Sequence, residues 1–196
     1  MKKYIFTIAI YLIVNFAFTS EYCEAQWEPD FRLTNNTAPS NPSWNHAWCI
    51  ASNGNYLHAV WYDFRGGNWE IYHKRSTDAG TTWGTDTRLT NNALTSEFPS
   101  ISVSGVFVHI VWKQSLYDNC EIYYKRSTDN GVTWENDTRL TNDPFYSSYP
   151  SIAVSGSNVN VGWLDTRDGN PEIYYKRSTD GGINWGSDTR LTNNVS

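Results

Sequence analysis

Two Asp-x-Arg pairs and a set of aromatic side chains are the residues of this chain best suited to recognise a ligand. The pairs are Asp63 with Arg65 and Asp165 with Arg167, and each lies in a turn-rich segment after an apolar run. An aromatic ring stacks on the apolar face of a sugar, while carboxylates and guanidinium groups hydrogen-bond its hydroxyls. These residue types predict sugar recognition. The alternative is that each pair only braces its own turn, because exposed Asp–Arg pairs are common and weak.

One recurring segment shows which elements must position these residues. It reads KRSTDAGTTW from Lys74, KRSTDNGVTW from Lys125 and KRSTDGGINW from Lys176, so the copies are 51 residues apart (125 − 74 and 176 − 125). Each copy carries four short runs of alternating apolar and polar residues, punctuated by Gly, Asn and Asp, which is typical of a β-meander. A fixed period of this length with strand-like content predicts radially repeated β-sheet blades.

The repeat also predicts the organisation of the chain. Residues 27–36 repeat the fourth strand of a blade alone, so we expect an orphan outer strand there. The first interval is five residues longer than the others (86 − 30 is 56, against 51), and the extra length falls between Thr34 and Trp48. The predicted blades span about 48–92, 99–143 and 150–194. The predicted fold class is therefore all-β, a partial β-propeller of three four-stranded blades and one orphan strand.

The pattern Ser-x-Asp-x-Gly-x-Thr-Trp in the repeat resembles the Asp-box, or bacterial neuraminidase repeat, of sialidase-like β-propeller proteins. It is complete in the first two copies, and Asn184 replaces the Thr in the third. The resemblance implies a propeller of the sialidase type, in which each box is a hairpin turn between the third and fourth strands. The Asp can accept turn N–H bonds, the Gly can take a positive φ and the Trp can bury its ring. The structural positions are Ser76, Asp78, Gly80, Trp83, Ser127, Asp129, Gly131, Trp134, Ser178, Asp180, Gly182 and Trp185.

Positions that differ between the copies are the ones free to bind a ligand, because residues common to all copies build the blade. Trp44 and Trp69 belong to the first repeat alone. The resemblance implies that their loops share the face opposite the box, where ligands bind. On that face the sequence alignment makes His46, Glu97 and Ser148 equivalent. The candidate ligand-binding residues are Trp44, His46, Asp63, Arg65, Trp69, Glu97, Tyr117, Tyr146, Asp165 and Arg167, and Phe145 and Tyr149 add further rings.

No catalytic residue, metal site or cofactor is predicted. The resemblance to sialidases implies three arginines on a substrate carboxylate, a Tyr–Glu nucleophile pair and an acid/base Asp. Only Arg65 and Arg167 lie outside the repeated framework, one short of that triad. The buried-strand histidines His58 and His109 match Asn160 and have no Cys or carboxylate at ligand spacing, which indicates structural residues.

The first 25 residues predict a secretory signal peptide. Lys2 and Lys3 precede an apolar run, and Cys23 and Ala25 supply small residues before a cleavage site. Cleavage leaves 171 of the 196 residues (196 − 25), enough for one domain with a core. We therefore expect a secreted, periplasmic or cell-surface protein that does not span the membrane after cleavage. A retained anchor is the alternative.

The charge of the chain limits its partners. A formal net charge of −5 disfavours nucleic acid and anionic membranes. We expect a glycan or a cell-surface or extracellular protein as the partner. Cys49 and Cys120 occupy unrelated registers, so their pairing stays open. Because a closed propeller takes four to eight blades, we expect a truncated reading frame or fragment, with self-association of two chains into a six-bladed ring and an open wedge as alternatives.

Three functions remain after these observations. The leading hypothesis is an exported, sialidase-like Asp-box segment that binds a glycan or a surface partner and lacks a complete catalytic site. The second is a fragment of an exo-α-sialidase or another glycoside hydrolase whose remaining blades are absent. The third is a structural, adhesin-type repeat array that presents its face to another protein.

Overall fold

The computed structural model describes residues 29–42, 48–116 and 119–193, with the side chain of Leu116 left aside. The predicted signal peptide and the candidates Trp44, His46 and Tyr117 lie outside the described residues. The contacts divide the chain into a unit that ends at Arg32 and a unit that begins at Leu33, and every described strand belongs to the second. No helix with the length and apolar character of a membrane span occurs among the described residues.

The described residues form thirteen strands. In chain order they are β1 Ser40–Asn41, β2 Ile50–Asn53, β3 Tyr56–Asp63, β4 Glu70–Ser76, β5 Thr87–Arg88, β6 Ser96–Ser104, β7 Phe107–Leu116, β8 Asn119–Ser127, β9 Thr138–Arg139, β10 Ser147–Ser155, β11 Asn158–Asp165, β12 Glu172–Ser178 and β13 Thr189–Arg190.

These strands make three antiparallel sheets, each following chain order. The sheet orders are β1-β3-β4-β5 with β2 also on β3, then β6-β7-β8-β9, then β10-β11-β12-β13. We call them blades 1, 2 and 3. Alternating apolar residues and Gly-rich turns favour such meanders, because each strand buries one or both faces against a neighbouring sheet. The predicted all-β class with three four-stranded blades is confirmed.

Blade 1 has a fifth strand because its first strand is interrupted. Ser40 pairs with Asp63 in the register that Ser147 shares with Asp165, so β1 starts that strand and β2 continues it. The extra residues therefore lie between Asn41 and Ile50, inside the strand. In blades 2 and 3 a β-bulge occupies this place.

This register corrects one predicted equivalence. Asn41 pairs with Tyr62, just as Glu97 pairs with Lys113 and Ser148 with Leu164. Asn41, rather than His46, is therefore the counterpart of Glu97 and Ser148. The prediction was wrong because it placed the insertion before the strand instead of within it.

The predicted orphan strand 27–36 is not a strand in its described part, residues 29–36. An outer strand without its own third strand has no ladder to join. Leu33 nevertheless keeps one blade-like contact, because its carbonyl accepts a 2.6 Å hydrogen bond from Lys74 Nζ. Lys125 Nζ makes the same 2.6 Å bond to the fourth-strand carbonyl of Leu89 in the preceding blade. Leu33 thus takes the place of a fourth-strand leucine next to blade 1.

Ion pairs between a buried glutamate and a partly exposed arginine hold the short fourth strands. In blade 1, Arg88 Nη2 donates to Glu70 Oε1 at 2.8 Å, and the Thr90 hydroxyl donates to Glu70 Oε2. Thr90 Oγ1 also accepts a bond from the Ile71 amide at 2.8 Å. A two-residue strand has few ladder bonds of its own, so this cluster stabilises it. The same cluster recurs around Glu121 and Glu172, which confirms the repeated arginines as framework residues.

The repeated Ser-x-Asp-x-Gly segment closes on itself as a turn. Ser76 Oγ donates to Asp78 Oδ1 at 2.7 Å and accepts from the Gly80 amide at 2.9 Å. In the third copy Asn184 Nδ2 donates to Asp180 Oδ2 at 2.7 Å, the bond that a Thr hydroxyl makes in the other two. The exception at Asn184 therefore preserves the hydrogen bonding of the turn.

The apolar core lies between the blades rather than within them. Ile71 and Leu89 of blade 1 pack with Ile101, Ile110 and Trp112 of blade 2 in one buried cluster. A second cluster joins blades 2 and 3 in the same way. Burying these side chains supplies most of the stabilisation, at about 1.5–3 kcal/mol for each large apolar residue. Each blade therefore depends on a neighbour.

The box turns of blades 2 and 3 are each pressed against the blade before them. The rings of Trp134 and Trp185 meet His73 and Tyr124 edge-on, both at a centroid distance of 5.0 Å. A Cβ on Gly182, where φ is +86°, would lie 2.0 Å from the Tyr124 hydroxyl and 2.6 Å from its ring carbon. Glycine is required there by both the left-handed backbone and the close approach.

A histidine pair is buried at the interface between blades 1 and 2. His58 Nδ1 and His73 Nε2 lie 3.0 Å apart, so one of them carries the shared proton. Burial, followed by the charge of Arg75, lowers the pKa of His58 to about 4. Burial, then His58 and Arg75, lower the pKa of His73 to about 3. The pair is therefore neutral in the folded protein at ordinary pH.

Substitution of Gly182 tests the interblade contact. We expect Gly182→Ala to lower the free energy of unfolding by about 3 kcal/mol, from backbone strain plus overpacking against Tyr124. Gly156→Ala is the matched control, since Gly156 has φ +57° but nothing within 4 Å of an added Cβ. It should cost about 1 kcal/mol for strain alone. Urea unfolding measures both, and equal costs would contradict the contact.

Acid should destabilise the fold through the histidine pair. Both residues bind fewer protons in the folded state, so stability falls as pH drops below the unfolded pKa of 6.5 towards 4. We expect a loss on the order of 2 kcal/mol between pH 7 and 4.5. The double variant His58→Asn with His73→Tyr reproduces the Asn160–Tyr175 pair of blade 3 and should lose less. The double variant should still lose some stability in acid because it keeps His109, whose pKa is lowered to about 4 mainly by burial. Identical pH profiles for the two proteins would rule out the pair as the cause.

Candidate functional site

The two Asp-x-Arg pairs are internal braces of their turns. Asp63 is fully buried, and its Oδ2 accepts bonds from Arg65 Nη2 at 2.8 Å, Ser40 Oγ at 2.7 Å and Trp61 Nε1 at 3.2 Å. The Arg65 amide donates to Oδ1 at 2.9 Å. Burial acts to raise the pKa of Asp63, but these donors outweigh it and the net shift is downward.

The guanidinium groups are held as tightly as the carboxylates. Arg65 Nη1 donates to Asp86 Oδ2 at 2.6 Å, and its guanidinium carbon lies 4.1 Å from the centre of the Tyr72 ring. Arg167 makes the same contacts, with Asp188 at 2.8 Å and the Tyr174 ring at 4.4 Å. Arg65 is thus held within blade 1, and Arg167 Nε also lies 3.7 Å from Asp143 Oδ2 in the segment between β9 and β10.

These contacts favour the turn-bracing interpretation over ligand contact. Asp165, like Asp63, is fully buried and accepts bonds from Arg167, Trp163 and Ser147. Burial raises and these bonds lower its pKa, with a net downward shift. The carboxylates of Asp63 and Asp165 are buried, and each guanidinium group is held by two carboxylates of the protein, so contact with a sugar hydroxyl is disfavoured.

A continuous row of aromatic rings crosses from blade 1 to blade 3. We call it the aromatic row: Phe64, Trp69, Tyr62, Phe98 and Tyr149. Successive ring centroids lie 5.2, 5.0, 5.7 and 5.3 Å apart in that order. The two ends, Phe64 and Tyr149, are 40% and 38% exposed, while Tyr62 and Phe98 are buried. The row is thus anchored in the middle and open at both ends.

Two residues of the row have a left-handed backbone. Phe98 has φ +57° and Tyr149 has φ +54°, and both lie in the β-bulges of their first strands. Bulky residues rarely adopt this conformation, and such strain concentrates at functional sites. The bulges re-aim these two rings towards one another, which an uninterrupted strand with alternating side chains would not do.

A buried lysine lies against the middle of the row. Lys113 Nζ is 2.7 Å from Glu97 Oε2 and 4.7 Å from the centre of the Phe98 ring. Burial lowers and the Glu97 hydrogen bond and charge raise its pKa, and the net shift is upward, so it stays cationic. The pair stabilises the Phe98 face through an ion pair and a cation–π contact.

The predicted residues divide into three groups in the structure. Trp69 belongs to the aromatic row, and Glu97 is tied to Lys113 beside it. Tyr146 is exposed, and its backbone amide donates a hydrogen bond to Thr166 Oγ1 at 3.1 Å. The Asp-x-Arg residues brace their turns. Trp44, His46 and Tyr117 fall outside the described residues.

Sequence reasoning missed three members of the row, namely Phe64, Tyr62 and Phe98. Of these three, only Phe98 had a signal in the sequence. An aromatic residue precedes a proline at both bulges, in Phe98-Pro99 and Tyr149-Pro150, and the residue before proline is restricted in its backbone. The remaining members are brought together only by packing between blades.

The described residues offer no evident metal centre and no disulfide. Among them, no group of three or more His, Cys, Asp or Glu side chains is arranged to hold a metal ion. Cys49 and Cys120 are not joined to each other in this structure, and the first is partly buried and the second buried.

Comparison with known proteins places the fold but not the family. No family model matches the chain, and no curated protein matches it. Among solved structures it is similar to the GH93 α-L-arabinofuranosidase of Fusarium graminearum, with 16% identity and a TM-score of 0.56 over 75% of this chain and 49% of that one. It is also similar to Trypanosoma rangeli sialidase, with 16% identity and a TM-score of 0.53 over 73% of this chain and 30% of that one.

The chain thus spans about half of the first of these proteins and less than a third of the second. A likeness at this identity is a likeness of fold alone. The three sheets are therefore blades of a sialidase-like β-propeller, and the chain has part of such a propeller.

The left-handed bulge can be tested at Tyr149. We expect Tyr149→Val to be less stable than Tyr149→Asn by about 1 kcal/mol, because a β-branched residue resists positive φ and Asn tolerates it. Both variants remove the ring, so the lost stacking on Phe98 cancels in the comparison. Urea unfolding gives the difference. A Val variant as stable as the Asn variant would contradict a left-handed backbone at this position.

Proposed function

We propose that this chain is an exported, sialidase-like Asp-box propeller segment that binds glycans, or a glycan-bearing surface partner, without a complete catalytic site of its own. The observation that carries the proposal is the aromatic row, which runs across all three blades with exposed rings at both ends. Its middle is buried and braced by Lys113, so the exposed rings are held in place before a ligand arrives.

Sugar chemistry fits these rings. A pyranose presents an apolar face of C–H groups that stacks on an aromatic ring. When that ring is already held in place, little side-chain entropy is lost on binding. Phe64 and Tyr149 offer two such platforms, and the exposed Tyr146 adds a third with a phenolic hydroxyl. Separated platforms on one rigid support suit an extended glycan better than a single small molecule.

Catalysis by the described residues is disfavoured by their pairing. A glycosidase needs two carboxylates that flank the scissile bond. Asp63 and Asp165 are buried among donors, Asp168 accepts from the Tyr174 hydroxyl, and Glu97 is held by Lys113. Arg65 and Arg167, the two candidate clamps for a carboxylate, are engaged by their own blades.

A glycoside hydrolase remains the second candidate. The observation in its favour is the likeness of fold to an arabinofuranosidase and to a sialidase. On that alternative the described blades supply only part of the site. The third candidate, an adhesin-type array, differs from the first in binding a protein rather than a sugar.

A glycan array of the purified protein tests the proposal. We expect Phe64→Ala and Tyr149→Asn each to weaken binding to the preferred glycan about tenfold, the value of one lost stacking contact. Phe107→Ala is the matched control, because Phe107 is as exposed as Phe64 but lies at the start of β7, in a groove that Asp180 and Gly181 of the third box turn also line. It should bind like the unmodified protein.

Three results would count against the proposal. No binding to any glycan would favour the adhesin alternative. If Phe107→Ala weakened glycan binding as much as Phe64→Ala and Tyr149→Asn do, the aromatic row would not be the binding site. Release of a fluorophore from a sialoside or arabinofuranoside by the purified protein would favour the hydrolase.

A further inference from the structure

Equivalent leucine and isoleucine positions are buried in two blades and exposed in the third. Ile71 is fully buried at the contact between blades 1 and 2, whereas its counterpart Ile173 in blade 3 is 42% exposed. Leu89 is 6% exposed, and its counterpart Leu191 is 60% exposed. Among the described residues, blade 3 therefore exposes the same apolar pair that blade 1 buries. We call Ile173 and Leu191 the blade 3 face.

The opposite side of the molecule shows the complementary pattern. Ile101 and Ile152 are each 1% exposed, but their counterpart Ile50 in blade 1 is 56% exposed. An apolar cavity of about 300 Å³ lies next to it, lined by Leu33, Ile50, Ala59 and Trp61 among others. We call these four residues the blade 1 face. It is the slot into which the preceding blade of a propeller would insert.

The internal interfaces show what fits each face. Ile71 and Leu89 of blade 1 pack against Ile101 and Ile110 of blade 2, and β3 and β6 are in extensive contact. Ile50 and Ala59 pair in blade 1 as Ile101 and Ile110 pair in blade 2. The blade 3 face is thus built to pack on the blade 1 face, and the sequence repeat makes the two complementary.

We propose that a second copy of this chain covers both faces, with blade 3 of each copy docking on blade 1 of the other. Two copies of three blades give six, within the four to eight that close a propeller. The contact is heterologous, because different surfaces meet, yet it closes after two copies and does not grow into a fibre. This assembly goes beyond the proposed function and does not depend on it.

The segment before blade 1 must be accommodated in this ring. Leu33 already accepts the bond from Lys74 that a fourth-strand leucine accepts elsewhere, so it occupies the place that Leu191 of the partner copy would take. The two segments have nearly the same sequence, Asp-Phe-Arg-Leu-Thr-Asn-Asn at 30–36 and Asp-Thr-Arg-Leu-Thr-Asn-Asn at 188–194. In the ring, Leu33 therefore fills the place of Leu191 beside Ile173 of the other copy, so that Ile173 makes the apolar contact and Leu191 moves out of it. Exchange of nearly identical elements between copies costs little.

Mass measurement of the purified protein tests the ring. We expect sedimentation or light scattering to give twice the mass of one chain. Ile173→Glu and Ile50→Glu should each weaken self-association by about 100-fold or more, because each buries an unpaired carboxylate at both interfaces. Both positions are exposed in a single copy, so the variants should keep their β-sheet circular dichroism. Val132→Glu, on an exposed box turn of blade 2, is the matched control and should stay dimeric.

Mixing the two variants distinguishes this ring from any other dimer. In a mixed pair, both substitutions fall on one interface and the other interface has unmodified residues on both sides. An equimolar mixture should therefore recover part of the dimer that neither variant forms alone. A monomer at every concentration would overturn the proposal, as would a dimer that both variants leave intact or a mixture that recovers nothing.

Discussion

Apolar side chains in this protein are buried between blades, and that single constraint accounts for most of its architecture. A four-stranded sheet of this size cannot bury both faces by itself, so each blade needs a neighbour on either side. The second-strand tryptophans Trp112 and Trp163 become fully or almost fully buried for this reason. The glycines of the second and third box turns follow from it as well, since a Cβ on Gly131 would lie 2.9 Å from the His73 ring and one on Gly182 would collide with Tyr124. The sequence repeats because the same interface between neighbouring blades is built twice from equivalent residues.

Charged residues serve the same interfaces and edges, which explains why the most chemically suggestive motifs turned out to be structural. A buried carboxylate is stable only when donors surround it. Asp63 and Asp165 meet that condition through Arg65 and Arg167, and Glu70 meets it through Arg88. Blade 2 has Gln114 in place of the aspartate, and its amide oxygen still accepts from Trp112 Nε1 at 3.3 Å. The variation between copies at this register therefore reflects two ways to brace a turn.

Divergence between the copies gathers instead at the bulged first strands. Phe98 and Tyr149 adopt the same strained backbone in blades 2 and 3, whereas blade 1 replaces the bulge with an insertion between Asn41 and Ile50. Strain at bulky residues persists only when the surrounding packing over-determines it. Here the ring of Phe98 is held by Lys113, which is itself paired with Glu97, and by the ring of Tyr62. The arrangement fixes exposed rings on a rigid support, which is the property a stacking site requires.

The sequence by itself determined the number of blades, the order of their strands and the residues that build them, because three copies of one repeat can be aligned with one another. It also singled out Trp69, which the structure places in the aromatic row, and predicted a framework role for Arg88 and its counterparts. It did not determine the first-strand register, since an insertion within a strand and one before it look alike until Ser40 is seen paired with Asp63. Only the tertiary structure decided which side chains remain accessible. Burial and ring-to-ring contact join residues far apart in the chain, as with Phe98 and Tyr149, and no local pattern records that proximity.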